Sequence, residues 1–197
     1  MSYFFNIWIK FFFLLTPFFT LSMFLSMTKD YDEIERRKVA YKVTQAIIIT
    51  CFFLYFFGDT IFQVFGITLD SFRIGAGSLL FLSAVTLVHG DMNIPDQKSD
   101  KNIAFVPLAI PITVGPATTG AILVLGAEVH DSWHRLIGFC ALTSAILCVG
   151  ALMLLSSYVE RLIGKNGFVI LGKITGLVLA ALASQITFTG IKNFLNL

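Results

Sequence analysis

Charge is scarce in this sequence. Asp, Glu, Lys and Arg make up 13% of the 197 residues, with 14 basic against 12 acidic side chains. A chain with so few charges cannot cover the surface of a water-soluble domain, and the near balance of signs argues against a nucleic-acid partner.

Cysteine is equally sparse: Cys51, Cys140 and Cys148 form no Cys-x-x-Cys pair. This excludes a disulfide framework, and we expect all three to be buried as small hydrophobic residues.

Sequence motifs of known catalytic centres are also missing. The chain contains no Gly-x-Ser-x-Gly, no His-Glu-x-x-His and no phosphate-binding loop, so we expect neither an enzyme nor a cofactor. The segment EVHDSWHR places His130 and His134 four residues apart. Two histidines without a third fixed ligand are too few for a zinc site. We therefore predict no metal and interpret the segment as an interfacial loop anchored by Trp133.

What the sequence does contain is apolar. Hydrophobic residues make up 56% of the chain, 21 of them Phe, and the mean hydropathy is +0.83. A helix needs about 20 residues to cross a membrane, and six charge-free runs reach that length when each is extended into flanks whose Lys or Arg can reach the interface. The sequence thus predicts an all-α protein with six transmembrane helices in lipid, the first of them retained rather than cleaved. The runs are 11–28, 43–58, 74–90, 102–127, 136–159 and 174–191.

Basic residues are shared unevenly between the two sets of loops. Ten lie in or beside the loops after helices 1, 3 and 5, and four lie on the other side. Loops rich in Lys and Arg stay in the cytoplasm. We therefore expect those three loops to be cytoplasmic and both termini to be outside.

Proline marks corresponding places in the two halves of the chain. Helix 1 has Pro17 followed five residues later by Ser22, and helix 4 has Pro111 followed five residues later by Pro116. Small and hydroxylated residues surround both pairs. Pro107 lies in the first turn of helix 4, where a missing donor costs little.

The last helices of the two halves also match. Segments 73–90 and 173–190 both begin with a base and end with glycine. Because each half has three spans, related halves must be inverted with respect to each other. The sequence therefore predicts a single domain with inverted repeats over about 1–92 and 102–197.

A proline interrupts a helix because it removes a backbone donor and clashes with the carbonyl four residues earlier. In hydrocarbon such a break is tolerated only where the backbone packs in protein or lines a wet cavity. Paired breaks in inverted halves are typical of transporter sites near the midplane, and prolines that only shape packing are the alternative. Gln185 either binds solute or joins helices. The candidate solute-binding residues are Thr16, Pro17, Thr20, Ser22, Pro111, Thr113, Gly115, Pro116, Thr118 and Gln185.

The segments TPFFTLSMFLSMT and PLAIPITVGPATTGAI resemble the MarC family of bacterial inner-membrane proteins, which is related to neutral amino acid transporters and, more distantly, to LysE-type exporters. The resemblance covers nearly the whole chain. Pro17 in helix 1 and the run from Pro107 to Pro116 in helix 4 match the motifs of the family. The chain departs from them at four positions: Thr16 stands for Asn, Phe19 for Gly, Ser22 for a second Pro and Ala117 for Gly.

Together these observations predict a secondary transporter of a small polar solute that works by alternating access. The resemblance implies neutral amino acids as substrates. A non-transporting membrane scaffold is the competing hypothesis. A polar cavity between helices 1 and 4 favours transport, whereas fully packed, apolar breaks favour the scaffold.

No carboxylate lies clearly within a span, since Asp59 and Asp70 are assigned to the segment between helices 2 and 3, so no proton relay is predicted.

Overall fold

A computed structural model describes residues 2–89, 113–129 and 131–195, and within these ranges the chain is helical and contains no strand. The backbone of Gly164 is not helical (φ 66°, ψ 169°), so the last helix consists of two segments that meet there. The helices are α1 (Ser2–Leu14), α2 (Pro17–Met27), α3 (Glu33–Phe65), α4 (Leu69–His89), α5 (Pro116–Ala127), α6 (Ser132–Leu154) and α7 (Ser156–Phe194).

Five stretches of the described residues are long and apolar enough to cross a membrane. They are Tyr3–Met27, Glu33–Gly58, Leu69–His89, Ser132–Leu154 and Asn166–Phe194, and each overlaps a span predicted from the sequence. The first of them combines α1 and α2. The fourth predicted span, 102–127, is represented by the shorter apolar helix α5, and its prolines Pro107 and Pro111 lie outside the described residues. The described residues are thus consistent with the predicted all-α, multi-pass membrane protein.

Two long helices begin with the same capping device. The carboxylate of Asp32 accepts a hydrogen bond from the backbone N–H of Glu35 at the start of α3 (2.6 Å), and Asp131 accepts one from His134 at the start of α6 (3.3 Å). Such caps satisfy N–H groups that have no partner within the helix.

The end of α3 differs from the sequence expectation. The helix continues to Phe65 and stops at Gly66, whose left-handed backbone (φ 63°) ends it. Asp59 therefore belongs to this helix, but it lies just beyond the candidate membrane span Glu33–Gly58, as expected, while Asp70 lies in the first turn of α4.

Close glycine contacts hold α4 and α7 together in antiparallel orientation. A Cβ atom added to Gly77 of α4 would lie 3.0 Å from the carbonyl oxygen of Ala183, and one added to Gly176 of α7 would lie 3.0 Å from that of Ala84. Glycine favours so close an approach because it has no side chain that would have to be accommodated.

The cysteines are less uniformly buried than expected. Cys51 is buried in α3, but Cys148 is half-buried and Cys140 is exposed on α6. The expectation of three buried thiols was thus wrong for Cys140, because periodicity along a helix that is apolar all round does not show which side meets lipid.

Polar contacts define the two ends of the bundle. At one end, which we call the Arg36 face, the guanidinium of Arg36 donates to the carbonyl of Thr28 after α2 and to the hydroxyl of Ser157 at the start of α7, both at 3.0 Å. At the other end, the Arg73 face, Arg73 of α4 donates to the carboxylate of Glu128 that follows α5 (2.9 Å). The loops after the first and fifth predicted spans, which follow α2 and α6, therefore share one face, as their basic residues suggested.

Candidate functional site: a paired helix break beside a charged vestibule

The first helix of the bundle is broken at its middle. Helix α1 ends at Leu14, Thr16 has a left-handed backbone (φ 45°, ψ 58°), and α2 begins with Pro17. Because Pro17 has no N–H, the carbonyl of Phe13 accepts from the N–H of Thr16 instead (3.0 Å). The proline thus interrupts the helix where the sequence predicted.

Two threonine hydroxyls replace the lost backbone donors. The carbonyl of Leu14 accepts from the hydroxyl of Thr118 on α5 (3.2 Å), and that of Leu15 accepts from the hydroxyl of Thr20 on α2 (3.1 Å). The Thr20 hydroxyl also lies 3.4 Å from that of Thr113. All three threonines are buried, as a break in hydrocarbon requires.

A second break faces the first. Gly115 has an extended backbone (φ −77°, ψ 176°) and precedes α5, which, like α2, begins with a proline, Pro116. From this point α2 runs to the Arg36 face and α5 runs to the Arg73 face. The N-termini of two short helices therefore converge, and each carries the positive end of a helix dipole.

The candidate residues thus separate into groups. Thr20, Thr113 and Thr118 are joined to the first break by hydrogen bonds, and Thr16, Pro17, Gly115 and Pro116 form the backbone of the two breaks. Ser22 is exposed on α2, and Gln185 is exposed on α7, which contains neither break. Pro111 lies outside the described residues.

A cavity of about 420 Å³ lies between α1, α4, α5 and α7 on the side of the Arg73 face. Leu14, whose carbonyl belongs to the break, contributes to its wall together with Ala121. We call this cavity the Arg73 vestibule. Its lining residues are Lys10, Leu14, Arg73, Ala121, Leu125, Glu128, Leu182, Gln185, Ile186 and Thr189.

Charged groups dominate the mouth of the vestibule. Arg73 lies between the carboxylates of Asp70 and Glu128, and Asp70 also accepts from the amide of Asn193 (3.2 Å). Lys10 is half-buried, and among the described residues no carboxylate pairs with it. Sequence reasoning missed Lys10, Arg73 and Glu128 as site residues, because they come from separate helices and looked like ordinary charges at span ends.

The histidine segment forms a local contact at the Arg73 face. The Nδ1 atom of His134 lies 2.6 Å from Oδ2 of Asp131. The imidazole ring of His134 also packs against the ring of Tyr3 in a T-shaped arrangement, with the ring centroids 4.8 Å apart. Hydrogen bonds from the side chain and backbone of His134 lower the pKa of Asp131. Groups of three or more His, Cys, Asp or Glu that could hold a metal are absent from the described ranges, and His130 lies outside them.

Comparison with known proteins assigns the chain to a family. Residues 1–195 match the family described as "MarC family integral membrane protein". The chain belongs to the MarC family. It is 32% identical over 191 residues to a UPF0056 membrane protein of Aquifex aeolicus, with 92% of this chain and 89% of the relative aligned. It is also 31% identical to UPF0056 membrane protein YhcE of Escherichia coli, with 95% and 91% aligned.

A third relative is archaeal. UPF0056 membrane protein MJ1677 of Methanocaldococcus jannaschii is 33% identical, with 92% of each chain aligned. No solved structure matches. The names of these relatives identify them as membrane proteins and state no substrate.

Proposed function

We propose that this MarC protein is a secondary transporter of a small polar solute and not an enzyme. It resides in the bacterial inner membrane, with the Arg36 face in the cytoplasm and both termini outside. The observation that carries the proposal is the position of the paired break: two helix N-termini meet beside a cavity whose wall combines charged and polar side chains with apolar ones. Interrupted helices of this kind line the midplane sites of many transporters.

Alternating access follows from two inverted repeats, and we propose a constant register of 99 residues between them. Thr16 and Gly115 both cap a half-helix, and Pro17 and Pro116 are its first residues. This register pairs Pro17 with Pro116 rather than with Pro111. The register relates the two breaks by the role of each residue in the backbone. The spacing between prolines alone does not reveal this relation.

The same register relates the helix that follows each half-helix. Asp32 and Asp131 are the N-caps of α3 and α6, and Arg36 and Arg135 follow four residues later. Arg36 donates to Ser157 in the second half, while Arg135 donates to the carbonyl of Phe56 in the first (3.2 Å). Each arginine thus joins its own half to the other at opposite ends of the bundle.

The contacts between α4 and α7 are reciprocal in this register. Gly77 corresponds to Gly176, and Ala183 corresponds to Ala84. Gly77 approaches the carbonyl of Ala183, and Gly176 approaches that of Ala84, at the same distance. An approximate two-fold axis in the membrane plane accounts for this reciprocity and supports the inverted arrangement.

The chemistry of the break suits a carboxylate group. Helix N-termini present unpaired N–H groups and a positive dipole to an anion, and threonine hydroxyls can donate further hydrogen bonds. In the conformation described, the hydroxyls of Thr118 and Thr20 are engaged by the carbonyls of Leu14 and Leu15. A solute that replaced these contacts would separate α5 from α1. Neutral amino acids, which the family resemblance implies, carry the required carboxylate.

The scaffold hypothesis competes with this account because the break itself is packed. A scaffold, however, gives no reason for a cavity of about 420 Å³ lined by Lys10, Arg73 and Gln185 beside the break. Its volume is in the range of small-molecule sites. This observation favours transport.

Uptake by purified protein in proteoliposomes tests the proposal. We expect labelled neutral amino acids, or another small carboxylate-bearing solute of a broad panel, to enter protein-containing vesicles faster than protein-free ones. Gln185→Ala should slow uptake because it removes a polar wall of the vestibule. Gln45→Ala, which changes an exposed glutamine on α3, should not. Folded protein that moves no member of the panel would overturn the assignment.

A further inference from the structure

The proposed register relates the lining of the Arg73 vestibule to residues in the other half of the chain. The counterparts of Leu14, Arg73 and Ile186 are buried, and five other counterparts are polar or charged. This inference rests on the proposed function and extends it to a second site. The counterparts of Ala121, Leu125 and Glu128 on α5 are Ser22, Ser26 and Lys29, in and just after α2. The counterparts of Leu182 and Gln185 on α7 are Ser83 and Thr86 on α4.

All five counterparts are exposed, although four of them lie within apolar spanning helices. Ser22 and Ser26 are one turn apart and therefore share one side of α2. Ser83 and Thr86 are three residues apart on α4 and share a side in the same way. Neither α2 with α4 nor α5 with α7 is among the closely packed helix pairs of the described residues. The Arg73 vestibule lies between α5 and α7, and the register relates this position to one between α2 and α4.

The hydroxyls of this group remain able to bind a ligand. Ser83 donates to the carbonyl of Leu79 and Thr86 to that of Leu82, both at 3.0 Å, so in this conformation these two hydroxyls can accept from water or a donor group of the solute, and donation to its carboxylate falls to the other members of the group. The hydroxyls of Ser22 and Ser26 have no hydrogen-bond partner in the described part of the chain. Four exposed hydroxyls within apolar helices suit water and a polar solute better than lipid tails.

The charge of the second group differs from that of the first. Lys29 is the counterpart of Glu128 and carries the opposite charge, and none of the five counterparts is acidic. Lys29 follows Thr28, whose carbonyl binds Arg36, so this charge lies at the Arg36 face. A positive entrance attracts a solute through its carboxylate group.

We propose that Ser22, Ser26, Lys29, Ser83 and Thr86 line a second vestibule, which opens at the Arg36 face and binds the same carboxylate-bearing solute. In alternating access, the two vestibules are the two routes from the paired break to the two sides of the membrane. Ser22 thus belongs to the route that leads to the Arg36 face.

Sided chemical modification of single cysteines tests this assignment. The background replaces Cys51, Cys140 and Cys148 by Ala. Into it, Ser22→Cys, Gln185→Cys or Ile49→Cys is introduced, the last at an exposed apolar position of α3 that serves as a lipid-facing control. A membrane-impermeant, sulfonate-bearing methanethiosulfonate is added from one side at a time to oriented proteoliposomes.

We expect the reagent to modify S22C at least tenfold faster from the Arg36 face than from the Arg73 face. Q185C should show the reverse preference, and I49C should react slowly from both sides. Lys29→Gln should slow the modification of S22C by the anionic reagent several-fold but leave its reaction with a neutral maleimide unchanged. If S22C misfolds, as judged by gel filtration, Ser26→Cys replaces it.

Modification of S22C at the slow rate of I49C from both sides would overturn the second vestibule. If transport persists in that case, only this inference fails. If S22C is modified from the Arg36 face while no solute moves, the second vestibule stands as a water-filled cavity, its role as a solute route is overturned, and the proposed transport function fails.

Discussion

Thr118→Val tests whether the broken helix depends on a side chain from the other half of the chain. The substitution keeps the shape of Thr118 but removes the hydroxyl that donates to the carbonyl of Leu14 (3.2 Å). Leu14 is 2% exposed and Thr118 is 7% exposed, so water cannot readily replace the lost donor. The Leu14 carbonyl would therefore remain buried without its partner.

The expected cost follows from two bounds. Leaving a buried acceptor unsatisfied costs about 1–3 kcal/mol in soluble proteins. Hydrogen bonds between membrane helices contribute about 0.6 kcal/mol on average and up to about 1.7 kcal/mol. The Leu14 carbonyl has lost its ordinary helical donor, so it belongs near the upper membrane value. We expect Thr118→Val to lower the free energy of unfolding by about 1–2 kcal/mol.

Thr175→Val on α7 is the matched control. Thr175 is fully buried, but its hydroxyl donates to the carbonyl of Leu171, four residues earlier in the same helix (2.8 Å). That carbonyl keeps its backbone donor, so the loss should stay below about 0.5 kcal/mol. Reversible unfolding in mixed micelles with increasing SDS measures both variants. Equal effects of the two substitutions would refute the role of Thr118 in supporting the break.

Three further substitutions test individual features of the fold. Thr16→Asn should raise the free energy of unfolding by about 1 kcal/mol, because Asn tolerates the left-handed backbone better than a β-branched residue; an unchanged or lower value would contradict this. Gly176→Ala should destabilise by about 1–3 kcal/mol through the clash with α4, whereas Gly172→Ala, which meets open space, should be neutral or gain up to about 1 kcal/mol; similar losses would refute the contact. The lowered pKa of Asp131 contributes stability above the ordinary carboxyl pKa, and this contribution is lost as pH falls through the lowered value. Asp131→Asn should therefore remove part of the acid sensitivity below about pH 4, and an unchanged pH profile of unfolding would contradict the contact with His134.

The positions of the helices could be predicted from the sequence because hydrophobicity and charge determine where a chain crosses a membrane. The break at Pro17 could be predicted because proline has a local, known effect on a helix. The left-handed conformation of Thr16 could not be predicted from composition or charge, since β-branched residues avoid it. Asn, which the family resemblance implies at this position, adopts the left-handed conformation more readily.

The vestibule could not be predicted from the sequence because it depends on which helices are neighbours. Lys10 and Glu128 are far apart in the chain, and only the packing of α1, α4, α5 and α7 places them around one cavity. The proposed register of the halves was equally hidden, since it pairs Thr16 with Gly115 and Asp32 with Asp131 by backbone role, while most side chains between them differ.

Solute counterflow tests the central claim of alternating access most directly. Proteoliposomes are loaded with an unlabelled solute that the protein carries, diluted into a trace of the same labelled solute, and followed over time. A carrier with one site that faces each side in turn predicts transient accumulation of label above its external concentration, and Gln185→Ala should reduce it. Label that only equilibrates would indicate a channel, and label that does not enter at all would contradict transport by this protein.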